Sequence, residues 1–356
     1  MKKHNYSAGP SILPQEVFEK ASKAVLDFNN SGLSILEISH RSKDFVAVMD
    51  EARALALDLL GLTGKGYQAL FLQGGASTAF LMAPYNLMKE NGKAAYLDSG
   101  TWATAAIKEA KFFGETVIVA SSKEENYNHI PKGYQIPADA DYFHCTSNNT
   151  IFGTQLKDFP ATNIPVVCDM SSDIFSRDLD FSKFDLIYAG AQKNMGPAGT
   201  TLVVIKEEIL GKNGRTIPSM LDYSKHIKAE SMYNTPPVFA VYVSLLTMQW
   251  IKAKGGVAAI EKLNDAKAAL LYNEIDRNPL FKGAAAVEDR SNMNVTFLLT
   301  NPDHTETFDK LWKESGVSGL PGHRSVGGYR ASIYNAMPIE SIQVLVDVMK
   351  ALETKI

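Results

Sequence analysis

Toward the N-terminus, apolar positions recur at helical spacing. Pro14 opens a segment in which Val17, Phe18, Ala21, Ala24, Val25 and Phe28 share one face, and proline at a first helical position is pre-organised for that place. Ser42 is a suitable N-cap for a second segment, with Phe45, Val48, Met49, Ala52, Leu55, Ala56 and Leu59 on one face. The rhythm then changes to short apolar runs rich in Val, Ile, Tyr and Phe, each followed by helix-compatible sequence. These runs are Tyr67–Leu72, Ala94–Leu97, Glu115–Val119, Asp141–Thr146, Pro165–Asp169, Leu186–Gly190 and Thr200–Ile205. Strands alternating with helices predict an α/β fold built on a mostly parallel seven-stranded sheet covered on both faces. Ligands of such sheets collect beyond the carboxyl ends of the strands.

Gly255 and Gly256 interrupt this pattern and predict a domain boundary. Beyond them a smaller α+β unit is expected: a helix over 257–278, a strand over 294–299, a helix over 306–314, a strand over 329–333 and a last helix over 339–352. The expected division is a large domain over 16–256 and a small one over 257–356 together with 1–15. A chain of 356 residues, 45% hydrophobic and 21% charged, is long enough for two such cores.

Charge and cysteine content narrow the function classes. The net charge is −3, with 36 basic and 39 acidic side chains and no block of like charge, so no nucleic-acid surface is expected. The longest uncharged stretch, 231–251, is broken by Asn234, Pro236 and Pro237, and the apolar remainder is too short to span a bilayer. Lys2 and Lys3 precede polar residues where a secretory peptide needs an apolar core. Cys145 and Cys168, the only cysteines, sit inside strand-like runs. A reducing, cytoplasmic location is the expectation.

Four strand ends carry chemistry. Gln73-Gly74-Gly75-Ala76-Ser77 stands between a strand and an apolar helix, where free backbone N–H groups and the helix dipole suit a phosphate. Alone, such a turn is more often a tight connection. Trp102, after Asp98-Ser99-Gly100-Thr101, offers an indole to a planar ligand. Asp169 closes one run and Lys193 follows the next. A lysine for a Schiff base and an aspartate for a pyridinium nitrogen are what pyridoxal phosphate requires. No metal site is suggested.

These residues sit in longer motifs: Tyr6-Ser7-Ala8-Gly9-Pro10, Ser39-His40-Arg41-Ser42, Asp169-Met170-Ser171-Ser172, Gly190-Ala191-Gln192-Lys193-Asn194, Tyr233-Asn234-Thr235-Pro236-Pro237 and the run from Gly322 to Asn335. With them the chain resembles the phosphoserine aminotransferases, a fold-type I, class V family of pyridoxal-phosphate enzymes, over essentially its full length. The resemblance implies transfer of the amino group of L-glutamate to 3-phosphohydroxypyruvate, with 4-phosphohydroxy-L-threonine of pyridoxine synthesis as a second product. It implies that Lys193 binds the cofactor covalently, Asp169 pairs with its ring nitrogen, Trp102 stacks on the ring and Thr150 approaches the ring hydroxyl. Ala76, Ser77 and Gln192 would hold the phosphate, with Asn234 and Thr235 reaching it from the second subunit of a homodimer. His40 and Arg41, joined by His323 and Arg324 of the other subunit, would bind the distal anion of the substrate, and Arg330 its α-carboxylate. Many bacterial members carry arginine where this chain has Ser77, which puts the relative affinities for the two substrates in question. Another class V enzyme, of the alanine– or serine–glyoxylate type, is the alternative.

Overall fold

The computed structural model describes residues 3–356. In chain order its elements begin with β1 (His4–Asn5), α1 (Gln15–Leu26), α2 (Lys43–Leu59), β2 (Tyr67–Leu72), α3 (Gly75–Leu87), β3 (Lys93–Asp98), α4 (Thr101–Ala110) and β4 (Glu115–Ser121). Then come β5 (Phe143–Thr146), β6 (Asn148–Asn149), β7 (Thr154–Gln155), β8 (Val166–Asp169), β9 (Leu186–Gly190), β10 (Thr201–Lys206), α5 (Tyr223–Lys228) and α6 (Val238–Ala253). The C-terminal part holds α7 (Val257–Arg277), β11 (Phe281–Gly283), β12 (Asn294–Leu299), α8 (Thr305–Glu314), β13 (Val317–Ser318), β14 (Tyr329–Ser332) and α9 (Ile339–Lys355).

A seven-stranded sheet in the order β2-β10-β9-β8-β5-β3-β4 forms the centre. β10 runs antiparallel to both of its neighbours, and the remaining pairs are parallel. Apart from the exposed edge strand β4, the strands are nearly continuous apolar runs because both faces are covered. One face packs on α2 and α6 through Phe45, Met49, Ala52, Val241, Leu245 and Met248. The other packs on α3 and α4 through Phe80, Ala83, Ala106 and Ile107. Each large apolar side chain fully removed from water here contributes about 1.5–3 kcal/mol.

A second core joins the antiparallel sheet β11-β12-β14 to α7, α8 and α9, and includes Tyr6 from the N-terminal segment. That segment crosses between the two cores. β1 pairs with β13, and Ser11 then donates its backbone N–H to the Gln192 carbonyl at 3.0 Å and its hydroxyl to the Lys193 carbonyl.

Two local expectations need correction. Pro14 does not occupy the first helical position of α1; it is the residue before it, and its carbonyl accepts from Val17 and Phe18. Its fixed φ serves equally well there, since the N-cap residue needs no N–H for the helix. Phe18, expected on the buried face, is 45% exposed, whereas Phe28 is buried beyond the end of α1.

Candidate active site

The carboxyl ends of β2, β3, β5, β8 and β9 lie along one edge of the sheet, and the candidate residues follow them. Lys193 comes three residues after β9. Its Nζ donates to Thr150 Oγ1 at 2.9 Å and lies 5.8 Å from the centroid of the Trp102 ring. The amine end is enclosed, and burial pulls it from 10.5 down to about 8; Asp169 opposes this shift and Arg330 adds to it. Desolvation therefore outweighs the neighbouring carboxylate, and about a tenth of the amine is uncharged at pH 7, far more than for an ordinary lysine.

Asp169 ends β8 and is 4% exposed. Burial raises its carboxyl above the ordinary range, while the Ser171 N–H, which it accepts at 2.9 Å, and Lys193 favour the ionised form. Thr150 is buried in the loop between β6 and β7. Trp102 lies in the first turn of α4 and is 38% exposed.

Arg330 projects from β14 of the second core. Nη1 donates to the Thr150 carbonyl at 3.5 Å, and Nε is buried with no partner. Burial lowers its guanidinium below the usual value. A guanidinium that is desolvated, cationic and incompletely paired calls for an anion, and its planar fork fits a carboxylate.

The turn after β2 forms the other end of the site. Gly74 and Gly75 have φ of 99° and 68°, the left-handed region in which glycine is unstrained. They allow the chain to turn from β2 straight into α3, so the N–H groups of the first turn, at Gly75, Ala76 and Ser77, have no partner within the helix. Ser77 is exposed and Ala76 partly so. The set fits pyridoxal phosphate: an amine of lowered pKa, a buried carboxylate beyond it, an indole face and a helix N-terminus for the phosphate.

Of the other expected residues, Gln192, Asn234 and Thr235 adjoin this cluster and the His and Arg pairs stand apart from it. Gln192 precedes Lys193, its side-chain amide folded toward Gly190. Asn234 Nδ2 donates to Gln73 Oε1 at 3.4 Å, and Gln73 Nε2 donates to the Thr235 carbonyl at 2.8 Å, so this segment flanks the glycine turn of its own chain. Arg41 and Arg324 are exposed, and neither forms an ion pair among the described residues. His323 Nδ1 pairs with Ser325 Oγ at 2.7 Å, and His40 Nε2 is buried without a partner. No hydrogen bond ties any of these four to Lys193.

Sequence reading gave no role to Tyr334. Its hydroxyl donates to the Ala8 carbonyl at 2.7 Å and accepts from Asn294 Nδ2 at 3.2 Å, beside Arg330 and Thr150. The motif that contains Arg330 also contains this tyrosine, but only the fold shows what it touches. Among the described residues no cluster of three or more His, Cys, Asp or Glu could hold a metal ion, and no helix is long and apolar enough to cross a membrane.

Comparison with known proteins extends this geometry. The family described as aminotransferase class-V matches residues 4–345. A Flavobacterium johnsoniae protein named phosphoserine aminotransferase is 90% identical over 100% of both chains. The phosphoserine aminotransferase structure from Bacillus circulans subsp. alkalophilus superimposes with a TM-score of 0.96 at 44% identity over 99% of each chain. The PLP-bound phosphoserine aminotransferase from Trichomonas vaginalis does so at 0.93 and 36% identity, over 98% of this chain and 100% of that one. A lysine of lowered pKa and a buried aspartate on adjoining strand ends agree with that match, and the chain belongs to the class V aminotransferases, which work with pyridoxal phosphate.

Proposed function

We propose that the enzyme transfers the amino group of L-glutamate to 3-phosphohydroxypyruvate, giving 2-oxoglutarate and O-phospho-L-serine. The name of the 90% identical relative supports the substrate pair. The observation that carries the reading in this chain is the half-buried Arg330 with its partnerless Nε, set against Thr150 and hence beside Lys193. Both substrates are α-carboxylates, and this is where one would be held.

Pyridoxal phosphate, when bound, supplies the carbon that takes the amino group and a ring that accepts the electron pair left on the substrate. Lys193 Nζ would be the attachment amine, and as a free amine it would take the α-proton of glutamate and deliver it to the carbon that receives the amino group. An amine that is uncharged at working pH can do this, and a pKa of about 8 leaves it so in part. Thr150 Oγ1 holds Nζ on the side where Arg330 holds the α-carboxylate. Asp169, ionised, keeps a proton on the ring nitrogen. Trp102 would lie against one face of the ring and keep water from it. The first-turn N–H groups of α3 with Ala76, Ser77 and Gln192 take the cofactor phosphate.

The distal anion, carboxylate in one substrate and phosphate in the other, is assigned to His40, Arg41, His323 and Arg324. Two pairs of His and Arg can serve both shapes. In this reading a second copy of the chain supplies His323 and Arg324, and also Asn234 and Thr235 at the cofactor phosphate, so the working unit is a cytoplasmic homodimer. Leu33 and Leu36, 49% and 61% exposed just before His40, are consistent with a covered surface. Residues 257–356 with the N-terminal fifteen act as the substrate-closing domain against 16–256.

The test follows the visible spectrum of the purified protein. Glutamate alone should convert the cofactor to its amino form. 3-Phosphohydroxypyruvate should restore the original band much faster than pyruvate or glyoxylate in separate samples. Equal restoration by glyoxylate or pyruvate would overturn the substrate assignment in favour of a glyoxylate-type transaminase.

A further inference from the structure

Three backbone segments carry the groups that must meet one substrate: the one after β9 with Lys193, the one after β8 with Asp169, and the one that continues β14 from Arg330. The Arg330 segment comes from a distant part of the chain, and one side chain on the first segment bonds to both of the others. Asn194, next to Lys193 and 4% exposed, accepts the backbone N–H of Asn335 on Oδ1 at 3.0 Å and donates from Nδ2 to the Ser172 carbonyl at 3.1 Å. Both ends of the amide are thus used. Nδ2 also faces Met293 Sδ at 3.5 Å.

The segment from Ile333 to Asn335 is pinned at every residue. Lys267 Nζ donates to the carbonyls of Ile333 and Tyr334 at 3.0 and 2.7 Å. Asn335, 4% exposed, donates to the Phe175 carbonyl at 3.1 Å and accepts from Asn264 Nδ2 at 2.9 Å; Asn264 reaches the Ser176 carbonyl at 2.9 Å. Burying this many amides stabilises little over apolar packing, and Asn264 Oδ1 is left without a partner, but the remaining bonds fix one geometry of the segment and resist others. Lys193 and Arg330 need such a fixed geometry because they act on adjoining atoms of the same substrate. A misplacement of about 1 Å costs on the order of a hundredfold in rate.

We propose that Asn194 is a positioning residue of the transamination site: its amide sets the Arg330 segment and the loop after Asp169 at the spacing from Lys193 that the reaction requires. This rests on the transaminase reading above. If that reading fails, the parent enzyme does not turn over; if only this inference fails, the parent is active and the variants match it.

The experiment compares the holoenzyme with Asn194→Ala and Asn194→Asp. For Asn194→Ala, kcat/KM should fall roughly tenfold to a hundredfold for glutamate and for the keto acid alike, since both bind Arg330, with bound cofactor per chain unchanged. In the apoenzyme, amides of the peptide spanning 329–336 should exchange faster than in the parent. A kcat/KM within about threefold of the parent, or a loss that merely tracks lost cofactor, overturns the proposal. Asn194→Asp decides the matter if the alanine variant does not fold. A protonated carboxyl offers the same acceptor and donor, whereas an ionised one turns an oxygen on the Ser172 carbonyl. Its bonded partners are a backbone N–H, a carbonyl and a thioether, none of which titrates. The titratable neighbours are Lys193 beside it and Lys267 on the Tyr334 carbonyl, at about 8 and about 7, and the parent carries both, so the ratio to the parent isolates the new carboxyl. Its kcat/KM relative to the parent should therefore rise about tenfold as pH is lowered from about 8.5 to about 6. A flat ratio overturns the proposal, because a purely structural filler would not respond to that proton.

Discussion

Lys193 has neighbours that disagree about its charge. Asp169 favours the ammonium ion, burial and Arg330 oppose it, and burial is the largest influence. A shift from 10.5 to about 8 raises the uncharged fraction near neutral pH by roughly two orders of magnitude. Reductive methylation of the apoenzyme, read by peptide mass spectrometry, should label Lys193 with a midpoint near pH 8, while exposed lysines label near their ordinary pKa. By linkage, the unfolded chain binds more protons at this residue between those two values, so its burial destabilises the fold below about pH 8 and the cost is relieved as pH rises toward 10.5. Asp169 has the opposite sign. Its raised pKa means that the folded state binds the extra proton, so stability is lost as pH rises above the ordinary carboxylate range and the deficit persists at neutral pH. Asp169→Asn should therefore raise the Tm of the apoenzyme by roughly a few degrees while lowering kcat about a hundredfold or more. A variant with lower Tm and unchanged kcat would refute both halves of the argument.

At the scale of elements, the start of α3 bears most on the cofactor. Gly74 precedes the helix at φ 99°, and a Cβ there would lie 2.0 Å from Thr78 Oγ1, in the first turn of the same helix. Gly74→Ala must shift that turn, at a cost of about 1–3 kcal/mol, and the N–H groups assigned to the phosphate shift with it. We expect cofactor affinity to drop about tenfold or more, read as faster loss of the visible band on dialysis. Six of the seven strands of the main sheet were legible in the sequence because a strand buried on both faces is a continuous apolar run, and the exposed edge strand β4 because Thr116, Val117, Ile118 and Val119 are β-branched. The reversed direction of β10 was not, since the same run results whichever way the strand points. Nor were β1, β11 and β13, which at two or three residues have no periodicity to read. Lys193 and Asp169 stood out because charged residues closing apolar runs are conspicuous. Asn194 and Asn335, 141 residues apart, could not be paired from sequence: a buried amide declares its role only through what the fold brings to it.

For the whole molecule, the open question is whether one chain contains a complete site. Arg330 lies beside Thr150 of its own chain, yet Arg324, six residues earlier, is exposed without an ion pair, and Trp102 and Leu36 present apolar surface to solvent. If a second copy supplies His323 and Arg324, then Lys193 and Arg324 that serve one substrate belong to different chains. Two inactive variants should then rescue each other. A Lys193→Ala chain lends its intact Arg324 to the site built on the Lys193 of an Arg324→Ala chain, while the opposite site loses both groups. Co-refolding equal amounts gives hybrid dimers in about half of the population, each with one restored site of two, so activity should recover to about a quarter of the parent level. Sites confined to single chains would give no recovery above the sum of the separate variants, and an Arg324→Ala chain that is fully active alone would remove this arginine from the anion site altogether.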